Sequence, residues 1–176
     1  VTLYLIRHPQ PEIPPGICYG RFDIDLKPGV LEHSVNSLAD ALPRGLPCIS
    51  SPALRCRRLS EALLARSLIR DLNHDARLLE MDFGRWEGRS WDDIGEAEVG
   101  AWAANILDGR APGGESAREL IARIGAFRAE WQGRDAVAVT HAGPIRTLLH
   151  LCSGQPEQDW RWDQPALAYG SISRID

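Results

Sequence analysis

Apolar segments short enough to be strands alternate along this chain with segments whose apolar residues recur at helical spacing. That alternation restricts the fold more than any other feature. Thr2 to Ile6, Pro47 to Ser51 and Ala136 to Thr140 read as strands, Ala166 to Ile175 as a fourth with partial alternation, and Leu72 to Leu79 as a further candidate. Between them, Leu31, Val35, Leu38 and Leu42 place one apolar stripe on a helix. Leu54 to Leu68 is rich in Leu, Ala and Arg, which favour helix. Ser116 and Glu119 form a capping box ahead of Leu120, Ile121, Ile124, Phe127 and Trp131. Gly143 to Leu151 reads as a helix with Pro144 in its first turn, where proline is tolerated. Strands alternating with helices predict an α/β fold, a three-layer α/β/α sandwich around a mostly parallel sheet.

A length of 176 residues suits a single domain over 1–176. Residues 82–114 break the rhythm with seven glycines, three tryptophans and a Pro-Gly-Gly turn, and read as a small loop-rich insertion over one end of the sheet. The net charge of −4 gives no electrostatic case for nucleic acid or an acidic membrane. No apolar run approaches the ~20 residues that span a bilayer. The chain opens directly on a strand pattern, so a cytoplasmic protein without a signal peptide is the expectation. Cys18, Cys48, Cys56 and Cys152 form no CxxC pair and none has an arginine six positions on, which argues against structural zinc and a Cys-x5-Arg phosphatase loop. Neither a Walker loop nor GxGxxG occurs. Lys27 is the only lysine among 20 basic residues, so any oxyanion grip falls to arginine, whose fork suits it.

Ligands of such folds sit beyond the carboxyl ends of the strands. Arg7 and His8 follow the first strand in "LYLIRHPQP"; Ser51 ends the second and leads through Pro52-Ala53-Leu54 to Arg55; His141-Ala142-Gly143-Pro144 follow the third. Glu80 follows the further candidate strand. Singly, each has a duller explanation as a structural histidine, a solvated arginine or a surface carboxylate. Together they put two histidines, two arginines and a carboxylate on one rim.

These segments resemble the blocks of a known family. "LIRHP" is similar to the RHG signature of the histidine phosphatase superfamily, whose fold is phosphoglycerate mutase-like. "SSPALRCRRLSEAL", "LLEMDFGRWEG" and "VTHAGPIR" resemble its later blocks, in family order and over nearly the whole chain. "CYGRFDIDL", with Tyr19, Gly20 and Arg21, and "PGGES" resemble the α-ribazole phosphatase branch, which acts in cobalamin assembly.

The resemblance implies a phosphomonoesterase of small molecules that needs no metal and no cofactor. Arg7, Arg55 and His141 would neutralise the phosphate oxygens, with Ala142, Tyr19, Gly20 and Arg21 joining the binding site. Neutral His8 would attack phosphorus to give a phosphohistidine, its pKa lowered by the arginines. Glu80 would protonate the departing alkoxide and later activate water. The chain departs from the pattern in places. Pro9 replaces a glycine, "PQPEIPPG" lacks the downstream Ser/Thr and Asn, Ala142 replaces a glycine, and Ala53 and Leu59 replace Leu and Thr. Other readings remain open: a broad sugar-phosphate phosphatase, a mutase-like protein, or a catalytically weak binder of phospho-ligands. Oligomeric state is also open, a homodimer included.

Overall fold

The computed structural model describes residues 1–176. Its sheet contains β1 (Leu3–Arg7), β2 (Leu46–Ser50), β3 (Ile69–His74), β4 (Ala136–Thr140) and β5 (Ile172–Ile175), in the order β3-β2-β4-β1-β5. All pairings are parallel except that of β1 with β5. Helices α1 (Val30–Ala41) and α2 (Leu54–Ala65) cover one face, and α5 (Ala117–Trp131) and α6 (Ala142–Ser153) cover the other. Side-chain alternation along β4 divides the core between the faces. Ala136 and Ala138 join Leu3, Leu5, Leu120, Ile124 and Phe127, while Val137 and Val139 join Val35, Leu38, Leu59 and Leu63. The expected three-layer sandwich is the fold.

The capping box of α5 is present, with Ser116 Oγ accepting from the Glu119 amide and the Glu119 carboxylate accepting from the Ser116 amide. Val35, Leu38 and Leu42 of the α1 stripe are buried.

Three readings need correction. The strand beside β2 is Ile69–His74, not Leu72–Leu79. Its sequence "IRDLNH" is largely polar because it is an edge strand, and the apolar pair Leu78-Leu79 that suggests a later strand lies in and after a 3-10 turn capped by Asp75. The C-terminal run is a strand only over Ile172–Ile175; residues 166–171 form a non-strand strap beside the end of β1. The 82–114 segment contains two short helices, α3 (Trp91–Ile94) and α4 (Glu96–Ala104). It also holds a nest of rings. Phe83 meets Trp91 and Trp102 edge-on at 5.7 and 5.8 Å, and Trp86 meets Trp102 at 5.9 Å.

Candidate active site

Register brings the two histidines together. Arg7 pairs with Thr140 across β1 and β4, so the residues that follow, His8 and His141, leave the sheet side by side. The His8 amide donates to Thr140 O (3.0 Å), and the two imidazole centroids lie 5.1 Å apart at 64°. Both rings are buried, to 1% and 0% exposure.

His8 is held in one orientation. Nδ1 lies 2.7 Å from Pro9 O, a carbonyl that can only accept, so Nδ1 carries the proton and Nε2 the lone pair. Arg55 Nε donates to Nε2 at 3.3 Å, which fits that tautomer. Burial, then the Arg55 guanidinium and also that of Arg7, holds His8 well below the usual histidine range, while the Pro9 carbonyl pulls the other way. Both arginines lower it, and burial is the larger cause. Pro9, in place of the family glycine, has lost an N–H but keeps the carbonyl that orients the ring.

Arg55, in the first turn of α2, is completely buried. Nη2 donates to Gly20 O (2.7 Å) and Nη1 to Phe22 O (3.1 Å). Both arms are thus engaged, leaving its Nε edge beside His8, so the expected bidentate grip on phosphate is not free in this structure. Gly20 contributes its carbonyl to Arg55, and its place in the site is one of close approach: a Cβ there would stand 2.0 Å from Met81 O. The Tyr19 ring lies 5.3 Å from Arg55 Cζ. Arg7 donates through Nη1 to Leu167 O and stacks on Tyr169 with Cζ 3.9 Å from the ring centroid. Its Nε is buried with no protein partner, a donor that an anion would satisfy.

His141 shares a 2.8 Å hydrogen bond between Nε2 and Ser51 Oγ, with Cys56 Sγ at 3.5 Å from the same nitrogen. Burial, followed by Arg55 and His8, holds it well below the usual histidine range. Glu80 comes two residues after the 3-10 turn and faces the N-terminus of α6. Its Oε1 accepts from the Met81 amide (2.9 Å) and its Oε2 from the Gly143 amide (3.2 Å), with Ala142 adjacent. Arg21, expected to bind substrate, is committed elsewhere: its guanidinium lies 3.5 Å from Asp82 and from Glu115 and donates to Glu80 O.

The structure therefore gathers Arg7, His8, Arg55 and His141 at the strand ends, with Tyr19 beside Arg55, and turns Arg21 to an acidic wall. Sequence reasoning names no role for Ser51 or Tyr169. The "SSPALR" block signals Ser51, whereas Tyr169 lies in a run that reads as strand. The carbonyls of Phe22 and Leu167 carry no sequence signal at all.

A cavity of about 210 Å³ adjoins Glu80, Ala142 and Gly143 and is walled by Met81, Phe83, Trp91 and Trp102. Burial pushes the thiols of Cys18, Cys48 and Cys56 up to about 12, which makes them inert as nucleophiles. No helix is long and apolar enough to cross a membrane.

Comparison with known proteins gives this arrangement its context. A probable phosphoglycerate mutase GpmB of Salmonella paratyphi B is 36% identical over 136 residues, covering 73% of this chain and 61% of that protein. The match thus spans under two thirds of that curated relative. The α-ribazole phosphatase of Shigella flexneri superposes with a TM-score of 0.83 at 26% identity, covering 100% of this chain and 90% of the other. A phosphoglycerate mutase of Thermus thermophilus superposes with a TM-score of 0.77 at 29% identity, covering 100% and 93%. The family model of the histidine phosphatase superfamily (branch 1) matches residues 3–176, and the chain belongs to that superfamily.

Proposed function

We propose that this protein is a phosphatase-type enzyme of the superfamily, a metal-independent phosphomonoesterase that works through a phosphohistidine on His8. The observation that carries the reading is the fixed tautomer: Pro9 O holds the Nδ1 proton and the Nε2 lone pair faces the Arg55 edge. A buried imidazole kept neutral by its surroundings is a ready nucleophile.

In the proposed reaction the ester phosphate settles against the unpartnered Nε edge of Arg7 and draws the Arg55 Nε–H away from His8 Nε2, which frees the lone pair of that nitrogen. His141 adds a third donor when phosphate oxygen takes the place of Ser51 at Nε2. The Nε2 lone pair of His8 then forms the N–P bond as the P–O ester bond breaks. The electron pair of that bond leaves on the alkoxide, which takes a proton from the Glu80 carboxyl group. In the second half, Glu80 carboxylate accepts a proton from water as its oxygen bonds to phosphorus, and the N–P electron pair returns to Nε2. One well-placed arginine contributes ~10³–10⁵ to such a transfer.

The cavity beside Glu80 stands where the alcohol half would lie. Its mostly aromatic and aliphatic walls favour a flat apolar group over a bare carboxylate, which would lose hydration there with Arg146 as its one cationic partner. That supports α-ribazole 5′-phosphate, whose benzimidazole fits such walls, as the preferred ester, and a cytoplasmic setting belongs to the same proposal. Arg146, which also borders the cavity, is the observation on the side of an acid-bearing ester.

Two measurements test this. Rapid quench with phosphorus-labelled substrate should trap an acid-labile, base-stable adduct on a peptide containing His8, lost in His8→Ala. Label on serine or cysteine would overturn the mechanism. A panel ranked by kcat/KM should place α-ribazole 5′-phosphate above 3-phosphoglycerate. The reverse order, or isomerisation of phosphoglycerate, would favour the mutase-like reading.

A further inference from the structure

The strap over residues 166–171 holds the end of β1 at every level. Ser171 O accepts from the Arg7 amide (3.1 Å), and the Gly170 amide is shared between Arg7 O (3.0 Å) and His8 O (3.2 Å). Gly170 takes φ +72, a conformation other residues rarely adopt, and a Cβ there would press on Ser34 Oγ at 3.2 Å. The Leu167 carbonyl takes one arm of the Arg7 side chain. These contacts fix the backbone and one arm, but they do not set the plane of the guanidinium.

Tyr169 does. Its ring lies against the Arg7 guanidinium, with Cζ 3.9 Å from the centroid, and 5.7 Å from the His8 ring. Guanidinium N–H groups donate in their own plane. A ring pressed on the flat face therefore fixes the direction in which the unpartnered Nε points while leaving that edge open. The Tyr169 hydroxyl shares a 2.9 Å hydrogen bond with the Tyr19 hydroxyl, and Tyr19 faces Arg55. The two arginines of the proposed anion site are thus linked through two rings and one hydroxyl bridge, from chain segments 150 positions apart. Packing alone does not account for this, because Tyr169 is 40% exposed and gives the core little.

We propose that Tyr169 is a positioning residue for phosphoryl transfer. Its ring aims Arg7 at the phosphoryl oxygens, and its bridge to Tyr19 sets Arg7 relative to Arg55. The inference rests on the proposed site but not on the fate of the phosphoryl group, so binding of inorganic phosphate tests it separately from turnover.

Titration calorimetry with inorganic phosphate should show affinity about tenfold weaker in Tyr169→Leu, as expected for loss of a cation–π contact, with kcat on p-nitrophenyl phosphate falling by a similar factor. Tyr169→Phe keeps the ring and should recover to within about threefold of wild type. Tyr19→Phe breaks the same bridge and should cost a similar factor, and the two Phe changes together should cost no more than either alone. Thermal unfolding should shift little in the Phe variants, which keep the test open if Tyr169→Leu folds poorly. Equal phosphate affinity and kcat in wild type and Tyr169→Leu would overturn the proposal, as would a wild type that binds no phosphate, or fully additive losses from the two Phe changes. Tyr169-dependent phosphate binding without any His8 adduct would instead remove the phosphohistidine reading and leave the positioning role intact.

Discussion

Mild acid should unfold this protein through the same two rings that form its site. His8 and His141 are buried to 1% and 0% exposure, and both are held well below the usual histidine range, first by burial and then by Arg55; Arg7 opposes charge on both, and Arg123 on His141. In the unfolded chain each takes up a proton near pH ~6.5, whereas the folded chain does not until the pH is much lower. The unfolded state therefore binds more protons as that pH is approached and passed from above, and stability falls as pH falls; well above it both states are neutral and the two rings impose no slope. At pH ~6.5 the unfolded rings are half-protonated, so each costs about 1 kcal/mol between roughly pH 6.5 and 5.5, about 2 kcal/mol for the pair, against about 0.7 kcal/mol for the pair between roughly pH 7.5 and 6.5. Urea unfolding followed by tryptophan fluorescence at about pH 7.5, 6.5 and 5.5 measures this directly. With a urea slope of about 1–3 kcal/mol/M, the midpoint should drop by roughly 0.7–2 M in the lower interval and by only about a third of that in the upper one. The double variant His8→Gln/His141→Gln should flatten the lower interval. A flat wild-type profile across that interval, or a slope that survives the double replacement, would refute the reasoning.

Other predictions concern chemistry. Glu80→Gln should cost ~10²–10⁴ in kcat on alkyl phosphates, whose alkoxide needs a proton, and much less on p-nitrophenyl phosphate; equal losses would remove Glu80 from the acid role. Pro9→Gly keeps the carbonyl that receives His8 Nδ1–H, so kcat/KM should change by less than roughly tenfold, or about 1.4 kcal/mol. A hundredfold loss would show that proline stiffness aims His8, and a hundredfold gain that the native site is impaired. Turnover should persist in EDTA, with vanadate competing against substrate; restoration by added zinc or magnesium after loss in EDTA would contradict the metal-free mechanism.

Much of this architecture is legible in the sequence, for identifiable reasons. β4 runs from Ala136 to Thr140 as read, because a strand buried on both faces must be apolar throughout. Arg7, His8, Arg55 and His141 can be assembled because a parallel sheet delivers strand ends to one rim. β3 escapes the reading because an edge strand needs no apolar run, and "IRDLNH" has none. Residues 166–171 mislead for the opposite reason. Ala166, Leu167 and Ala168 look like strand, but their neighbours Tyr169 and Gly170 serve Arg7 and His8 rather than a ladder. Donors such as Arg55 reveal themselves in a sequence, while the carbonyls that engage them do not. The expectation of two free arginine forks therefore gives way to arms tied to Gly20, Phe22 and Leu167.

The position of β1 between β4 and β5 has a consequence for the protein's birth. The strand carrying Arg7 and leading into His8 is the first of the five to be synthesised, yet its two sheet neighbours are the last. The Thr2 amide, for instance, is held by Asp135, 133 positions downstream. At ~5–20 residues per second, a ribosome leaves that apolar strand without its neighbours for roughly 7–27 s. During this interval α1, β2, α2 and β3 can already pack on one another, since β2 and β3 are adjacent in both chain and sheet. The nascent chain is thus a half-sheet beside a strand that awaits its neighbours. Of the parts gathered at the strand ends, His141 and the strap come last in the chain, so the arrangement around His8 is complete only when they have been made.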